Sequence, residues 1–318
     1  MPIKTIAMIG GTGFLGRHLA AEFVRRGYTL KLLTRRRERS KAVIVFPTLE
    51  LVDADVHDDA VLAAQLSGCD AVVSAAGILN ERRAGDFKAV HATLPERIVK
   101  ACVKNHIHRL LHVSALGAAN DAPSRYLQTK AAGERAIHAG IEAGLAVTCF
   151  RPSVIFGAGD SFINRFATLL AMTPVVFPLA CANARFAPVF VDDVAAAMVN
   201  ALTDKSTHGQ TYSLCGPKQY TLSALVRYIG EVSGNERSIW ELGNGLSRLQ
   251  AIVMQYLPGK LFTMDNYRSM QVPSICDGND LEKLGITRHS LESAVLEILG
   301  GHRKQARYDA FRTAAGRD

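Results

Sequence analysis

The most restrictive feature of the chain is Gly10-Gly11-Thr12-Gly13-Phe14-Leu15-Gly16. This GxxGxxG run directly follows the apolar segment Ile6–Ile9 and opens the amphipathic stretch Phe14–Arg26. An apolar run, a glycine cluster and then a helical period predict strand, tight turn and helix. Glycines let the backbone approach a pyrophosphate, whose charge meets free N–H groups at the positive end of the helix. The last glycine permits close packing of helix on strand. Gly10, Thr12, Gly13, Phe14, Leu15 and Gly16 are therefore the predicted phosphate turn of a dinucleotide site.

The same alternation continues through the first half. Apolar runs at Ile6–Ile9, Leu30–Leu33, Leu49–Val52, Ala71–Ser74, Leu110–Ser114 and Ala146–Phe150 alternate with helical patterns at Phe14–Arg26, Asp59–Leu66, Leu94–Asn105 and Tyr126–Gly144. Strands alternating with helices imply βαβ units and a parallel sheet covered on both faces. The predicted class is α/β, a Rossmann-type doubly wound parallel sheet with a smaller C-terminal substrate lobe. After Arg151-Pro152 the rhythm breaks into short helices, prolines and loops. Phe186–Phe190 and Gln210–Leu214 read as further strands, so the chain is expected to return to the first unit. The expected organisation is a nucleotide domain over 1–157 with a return segment at about 186–215, a lobe over 158–185 and 216–300, and a basic tail over 301–318.

The residues after the second strand bear on the choice of nucleotide. An NAD site usually carries Asp or Glu there for the ribose 2′-hydroxyl. This chain has Thr34-Arg35-Arg36-Arg37, and its first acid is Glu38. Guanidinium groups suit a 2′-phosphate, so Thr34, Arg35 and Arg36 point to NADP(H) in preference to NAD(H). Asp55 and Val56, after the third strand, are placed to reach the adenine. Ala75, Ala76 and Gly77, after the fourth, are placed to pass the ribose and pyrophosphate, at the strand ends where open sheets bind ligands.

Net charge supports that assignment. The 318 residues carry +8, with 37 Lys and Arg against 29 Asp and Glu. Nine basic residues lie between Arg17 and Lys41 against Glu22 and Glu38, so this stretch holds +7 of the excess. Such concentration argues against a protein-wide nucleic-acid surface. Arg25 and Arg26 exceed what one phosphate needs and leave room for an acidic partner or a membrane surface. A content of 48% hydrophobic and 21% charged residues excludes disorder and collagen-like arrays.

Tyr126 and Lys130, four apart, share one helix face. A nearby ammonium and a nicotinamide cation are expected to lower the phenol's pKa and make it a proton donor or acceptor. His112-Val-Ser114-Ala-Leu-Gly117 precedes the pair, and Arg151-Pro152-Ser153-Val154-Ile155-Phe156-Gly157 follows it. With Ser124–Glu134, Pro188–Val194 and Leu281–Ile286, these segments resemble an atypical extended short-chain dehydrogenase/reductase. The closer resemblance is to the branch containing the nucleotide-binding accessory subunit of respiratory complex I and its bacterial relatives. It runs to about residue 300.

The resemblance implies that Tyr126 acts as acid/base, Lys130 bonds the nicotinamide ribose, and Pro152, Ser153 and Val154 line the nicotinamide side. It also implies two departures. The Ser or Thr of active relatives falls on Ala115, with Ser114 one position early and on the other strand face. His91 stands where relatives often carry Asn, and Ser124 is a substitute hydroxyl donor. Catalytic candidates are thus Tyr126, Lys130 and Ser114. The function implied is an NADP(H)-binding accessory or assembly protein associated with complex I or the ubiquinone pathway, with little or specialised catalysis. The alternative is an active oxidoreductase or epimerase/dehydratase-type enzyme on a small lipophilic or quinone-like substrate.

Remaining features are read more plainly. The six cysteines form no CxxC pair, which fits a reducing compartment rather than a disulfide scaffold or zinc ribbon. No leader segment is expected, because the first residues run straight into the glycine motif. The uncharged stretch Phe166–Ala182 contains Thr168, Thr173, Pro174 and Pro178, which oppose a spanning helix. The expected location is cytoplasmic, or peripheral at the inner face of a membrane. His106, His108 and His112 lack a carboxylate or Cys at ligand spacing, so no metal is expected. Asp192-Asp193 is read as the cap of a helix over Val194–Leu202. Leu246–Leu257 is read as a core-packed helix, with a lipid- or partner-facing one as the alternative.

Overall fold

Apolar runs without room for polar alternation must be covered on both faces, and the computed structural model shows how this is done. It describes residues 2–35, 37, 43, 46–257, 260–278 and 280–295. Seven parallel strands form the central sheet: β1 (Thr5–Ile9), β2 (Thr29–Thr34), β3 (Leu49–Asp53), β4 (Ala71–Ser74), β5 (Arg109–Val113), β6 (Ala146–Pro152) and β11 (Gln210–Leu214). Their order is β11-β6-β5-β4-β1-β2-β3. The order reverses between β1 and β4, the switch point at which open α/β sheets hold ligands in the crevice outside the carboxyl ends of the strands.

Helices α1 (Phe14–Arg25) and α7 (Val191–Thr203) cover one face, burying Leu19, Phe23, Val194 and Met198 against Met8, Leu32 and Leu111. Helices α2 (Asp59–Leu66), α4 (Leu94–Lys104) and α5 (Arg125–Ala139) cover the other through Leu62, Ile98 and Ile137. Alternate residues of β5 serve the two cores, Leu111 and Val113 one side and Leu110 the other. Buried Arg109 locks α7 to the sheet. Its guanidinium donates to Leu202 O (2.9 Å), Ala201 O (2.6 Å) and Ala146 O (2.8 Å). These include carbonyls of the last turn of α7, where a cation complements the helix dipole.

The chain before α4 is unusual. A short helix, α3 (Asp86–Lys88), runs into a π-helical turn over Ala89–Thr93 and then into α4. The wider turn carries His91, and such turns recur at functional sites.

The remaining elements form a second core. Helices α6 (Phe162–Met172) and α8 (Leu222–Ser233) bury Ile163, Leu170, Leu225 and Ile229 with Phe156, Phe177 and Phe186. Three two-stranded pieces frame it: β7 (Ile155–Phe156) with β10 (Val189–Phe190), β9 (Arg185–Phe186) with β12 (Tyr220–Thr221), and β8 (Val176–Leu179) with β13 (Ser238–Glu241). Helices α9 (Asn244–Met254), α10 (Met264–Ser269) and α11 (Asp280–Lys283) follow, and residues 291–295 add a helical stretch whose Leu291, Ala294 and Val295 join the second core.

Several sequence expectations change here. Phe186–Phe190 is not one strand: Ala187 and Pro188 divide it, and neither part joins the main sheet. The helix expected to reach Gly144 ends at Ala139, and Gly144, at φ +86°, turns the chain toward β6. Asp192 and Asp193 lie inside the first turn of α7 rather than capping it. Asp192 bonds His18 at 2.6 Å, and buried Asp193 bonds the Nδ1 and backbone N–H of His289 at 2.6 and 2.8 Å.

Nor are all cysteines free, as a reducing compartment implied: Cys215 and Cys276 form a disulfide, 61 residues apart. Their Cα atoms stand 6.0 Å apart, because the segment after α10 crosses the end of β11, a proximity no local spacing announces. The uncharged Phe166–Ala182 stretch is part helix and part strand, and among the described residues no helix is long and apolar enough to cross a membrane. Finally, α9 is not core-packed. Ser247 and Ala251 face inward while Leu246, Leu249 and Val253 are exposed. The tail over 301–318 lies outside the described residues.

Candidate nucleotide site and catalytic face

The glycine turn is built as a close-approach cradle. Gly10 sits at φ +85°, and a Cβ there would lie 2.5 Å from Ala76 N; one on Gly16 would lie 2.3 Å from Gly10 O. Gly13 N donates to Gly10 O at 3.1 Å and closes the turn. Gly13 is also the N-cap of α1, and among the described residues no side chain caps that helix. The first turn, carrying Phe14, Leu15 and Gly16, thus presents N–H groups that a phosphate satisfies. Thr12 is half-buried beside them. The residues fit a dinucleotide pyrophosphate.

The adenosine side is more open. Thr34 is buried at the end of β2, Arg35 and Arg37 are exposed, and Arg36 lies outside the described residues. Two of the basic residues counted with this stretch are engaged elsewhere. Arg25 and Arg26 both pair with Glu22, at 2.5 and 3.1 Å, on the far part of α1. Asp55 is exposed and accepts from His57 N at 3.0 Å, while Val56 is buried. Ala75 N donates to Ile9 O at 2.9 Å, which draws the Ala75-Ala76-Gly77 loop against the glycine turn.

On the other side of the crevice, α5 carries Tyr126 and Lys130. Lys130 is buried, and its Nζ donates to Val113 O at 3.0 Å. That Nζ lies 3.4 Å from where a Cβ on Gly77 would stand, an ordinary van der Waals separation that sets the ammonium directly beside the Ala75-Ala76-Gly77 loop. Burial pulls the Lys130 pKa down to about 8, with Glu134 partly opposing. Glu134 is itself held by Arg151 through contacts of 2.7 to 3.1 Å. Tyr126 lies edge-on to His91 and Phe87, with ring centroids 5.4 and 5.9 Å apart. The sequence predicted a lowered phenol pKa. In the protein alone burial wins and pushes Tyr126 up to about 12.

His91 holds this corner together. Thr129 Oγ1 donates to Arg125 O at 2.8 Å and therefore accepts from His91 Nδ1–H at 3.2 Å. His91 Nε2 is left to accept from Ile78 N at 3.0 Å, directly after Gly77. Burial, reinforced by Lys130, drives its pKa down to about 2, so the imidazole is neutral. The serines behave otherwise than an acid/base partner requires. Ser114 is buried and, among the described residues, its Oγ has no hydrogen-bond partner. Ser124 is spent as the N-cap of α5, accepting from Leu127 N (3.3 Å) and from Ser269 Oγ (2.8 Å). Pro152 and Ser153 are buried and Val154 half-buried, and Ser153 Oγ donates to Ser274 O at 2.7 Å.

Contacts from far along the chain close the site, and sequence reasoning missed them. Asp265 Oδ1 accepts from Arg125 N at 2.7 Å and Oδ2 from Tyr126 N at 3.1 Å, at the start of α5. Lys260 Nζ donates to Glu81 O at 2.7 Å, and Asn80 Nδ2 to Lys260 O at 3.0 Å. Neither Asp265 nor Lys260 sits in a motif, so only the fold could reveal them. His91 and Thr129 were within reach, since Thr129 shares the Tyr-Leu-Gln-Thr-Lys segment.

Comparison with known proteins agrees with this geometry. The model of the NAD dependent epimerase/dehydratase family matches residues 6–215. The chain is 28% identical over 313 residues to mouse NADH dehydrogenase [ubiquinone] 1 alpha subcomplex subunit 9, mitochondrial, covering 93% of this chain and 80% of that one. It is 30% identical over 199 residues to a ceramide reductase of Caulobacter vibrioides, covering 61% of this chain and 59% of that one. Among solved structures, a dTDP-glucose 4,6-dehydratase from Streptomyces venezuelae with NAD and TYD bound superposes with a TM-score of 0.74. Identity is 19%, with 96% of this chain and 98% of that one covered, which speaks to the fold alone.

Proposed function

Because the chain belongs to the NAD dependent epimerase/dehydratase family, we propose that it holds NADP(H) as a long-lived ligand and serves as an accessory or assembly protein of a complex I- or ubiquinone-pathway machinery, with little or specialised turnover. One observation carries the reading. The glycine turn from Gly10 to Gly16 has a geometry that suits a pyrophosphate, whereas Ala115 stands where the resemblance places the hydroxyl of active relatives, and Ser114 and Ser124 are respectively buried and spent on a helix cap. The similarity to a mitochondrial complex I subunit supports the partner class.

Within this reading, the N–H groups from Gly10 to Gly16 hold the pyrophosphate. Arg35, with Arg36 beside it in sequence, holds the 2′-phosphate. Asp55 and Val56 face the adenine, and Ala75, Ala76 and Gly77 admit the ribose. Lys130 bonds the nicotinamide ribose across Gly77, with Pro152, Ser153 and Val154 on the nicotinamide side. The bound nicotinamide supplies hydride exchange; Tyr126 Oη holds the proton that accompanies it. The seat that goes with this reading is cytoplasmic or peripheral at the inner face of a membrane, and the Cys215–Cys276 bridge is the feature that stands against a fully reducing one.

Titration of NADPH and NADH, read by thermal protection, tests the cofactor. NADPH is expected to bind more tightly, and Arg35→Ala to weaken it about tenfold with NADH unchanged. Tighter NADH binding overturns the preference. NADPH oxidation with quinones and small ketones tests the role, and an absence of turnover with nucleotide bound is expected. A second reading, an active reductase on a lipophilic carbonyl, is favoured by the Tyr126–Lys130 pair beside Gly77. It replaces the first if turnover occurs and Tyr126→Phe abolishes it with binding intact.

A further inference from the structure

Helix α9 is built the wrong way round for a soluble surface. Its inward positions, Ser247 and Ala251, are small and fully buried, whereas Leu246, Leu249, Ile252 and Val253 are 48%, 55%, 39% and 55% exposed. Leu246, Leu249 and Val253 follow i, i+3, i+7 spacing and form one outward stripe. The stripe continues past the helix with Tyr256, 82% exposed.

The neighbouring strand pair extends this face. Trp240 of β13 pairs in register with Pro178 of β8, and Ser238 with Val176, so these four share the outward side. Trp240 is 58% exposed and Val176 46%. Gln250 of α9 donates to Pro178 O at 3.3 Å, which joins helix and strands into a single surface. Eleven of the fourteen exposed large apolar side chains among the described residues fall in 172–261. Scattered apolar residues need no explanation, but one contiguous patch marks a binding surface.

Charge selects what covers it. Between Leu242 and Leu257 the sole charge is Arg248, which is exposed. Around the patch stand Arg165, which donates to Leu261 O; Arg237, which donates to Thr173 O; and Lys260. Three acids lie close in sequence. Glu241 is occupied by Ser223 Oγ at 2.6 Å and Arg227 at 3.4 Å, Asp265 by the N–H groups of Arg125 and Tyr126, and Glu236 is exposed. An apolar stripe edged by Trp and Tyr, with long cationic side chains at its margin, is the arrangement of an interfacial helix on an anionic leaflet. A second copy fits poorly, since a two-fold contact through this face would set the same cations against one another.

We propose that α9, Trp240 and the adjoining β8–β13 face insert into the headgroup–acyl boundary of an anionic bilayer. The proposal stands apart from the cofactor reading. It also sets the membrane beside the crevice, because Lys260 at the end of this face holds the loop that follows Gly77.

The chain contains a single tryptophan, Trp240, which makes the test direct. The full chain is mixed with phosphatidylglycerol/phosphatidylcholine vesicles or with phosphatidylcholine alone. With the anionic vesicles, Trp240 emission is expected to shift to the blue and to be quenched by brominated acyl chains. Leu249→Glu with Val253→Glu is expected to weaken vesicle binding at least about tenfold, with the melting temperature and NADPH titration unchanged. Vesicle binding without a Trp240 shift or quenching overturns insertion, because basic charge alone then accounts for it. A lipid-free dimer that shields Trp240 from iodide overturns it in favour of a second copy. Normal NADPH binding in either case leaves the cofactor reading untouched.

Discussion

Asp265 holds the backbone N–H of Tyr126 at 3.1 Å across 139 residues of sequence. The start of the helix that carries the tyrosine and lysine is therefore fixed by α10, beyond the second core. Its other oxygen takes Arg125 N, so one carboxylate satisfies two donors that α5 itself leaves open. Asp265→Ala is expected to cost about 1 kcal/mol, as loss of a helix cap does. NADPH affinity should fall with it and recover only in part in Asp265→Asn, whose single amide oxygen can accept from one of the two N–H groups. Chemical denaturation with parallel titrations checks both.

The glycine turn yields a sharper expectation. A Cβ on Gly16 would meet Gly10 O and Gly11 backbone atoms at 2.3 to 2.7 Å, and backbone cannot give way as a side chain tip can. Gly16→Ala should cost about 2–3 kcal/mol by overpacking and abolish nucleotide protection. Gly27→Ala is the control. No atom lies within 4 Å of its Cβ, but φ is +85°, so it should cost about 1 kcal/mol and leave binding intact.

Buried bases make stability depend on pH. His91 and His112 titrate at about 2 and about 3 in the folded chain, both held down chiefly by burial. Below pH 6.5 the unfolded histidines take up protons that the folded ones refuse, so stability falls as pH drops from 6.5 toward 3. His91→Asn should flatten this slope in denaturation curves measured between those values. Lys130, at about 8 when folded, acts at the alkaline end. Stability should rise from pH 8 toward 10.5, the lysine's ordinary value, as the unfolded chain sheds its extra proton. Lys130→Met should lose that rise.

The Cys215–Cys276 bridge closes a loop of 61 residues. Reduction, or Cys276→Ser, is expected to lower stability by about 2–4 kcal/mol on the chain-entropy account. Ser153 Oγ bonds Ser274, two residues before Cys276, so the same change should weaken nucleotide binding on the nicotinamide side. Thiol counting and titration with and without reductant test this. Unchanged unfolding in reductant would remove the bridge from the stability account.

Local signals carried much of the fold. Ala71–Ser74 and Asp59–Leu66 are strand and helix with the very bounds that periodicity predicts, because each stretch faces a uniformly apolar or one-sided environment. Tyr126 and Lys130 were legible for the same reason, four residues apart on one helix. Phe186–Phe190 and α9 misled, because apolarity says that a residue prefers cover and not what supplies it. Leu249 reads as core by composition and lies on the surface because Ser247 and Ala251 hold the inward side.

The sequence by itself determined the parallel sheet, the glycine cradle and the helix that bears the tyrosine and lysine, since each depends on spacing within one segment. Tertiary structure alone decided that His91 faces Thr129 and Ile78, that Asp265 caps α5, that Cys215 meets Cys276 and that α9 turns Leu246, Leu249 and Val253 outward. Those outcomes depend on where distant segments come to rest, and a hydrogen bond, a disulfide or a packing contact acts only over the few ångströms that the complete fold creates.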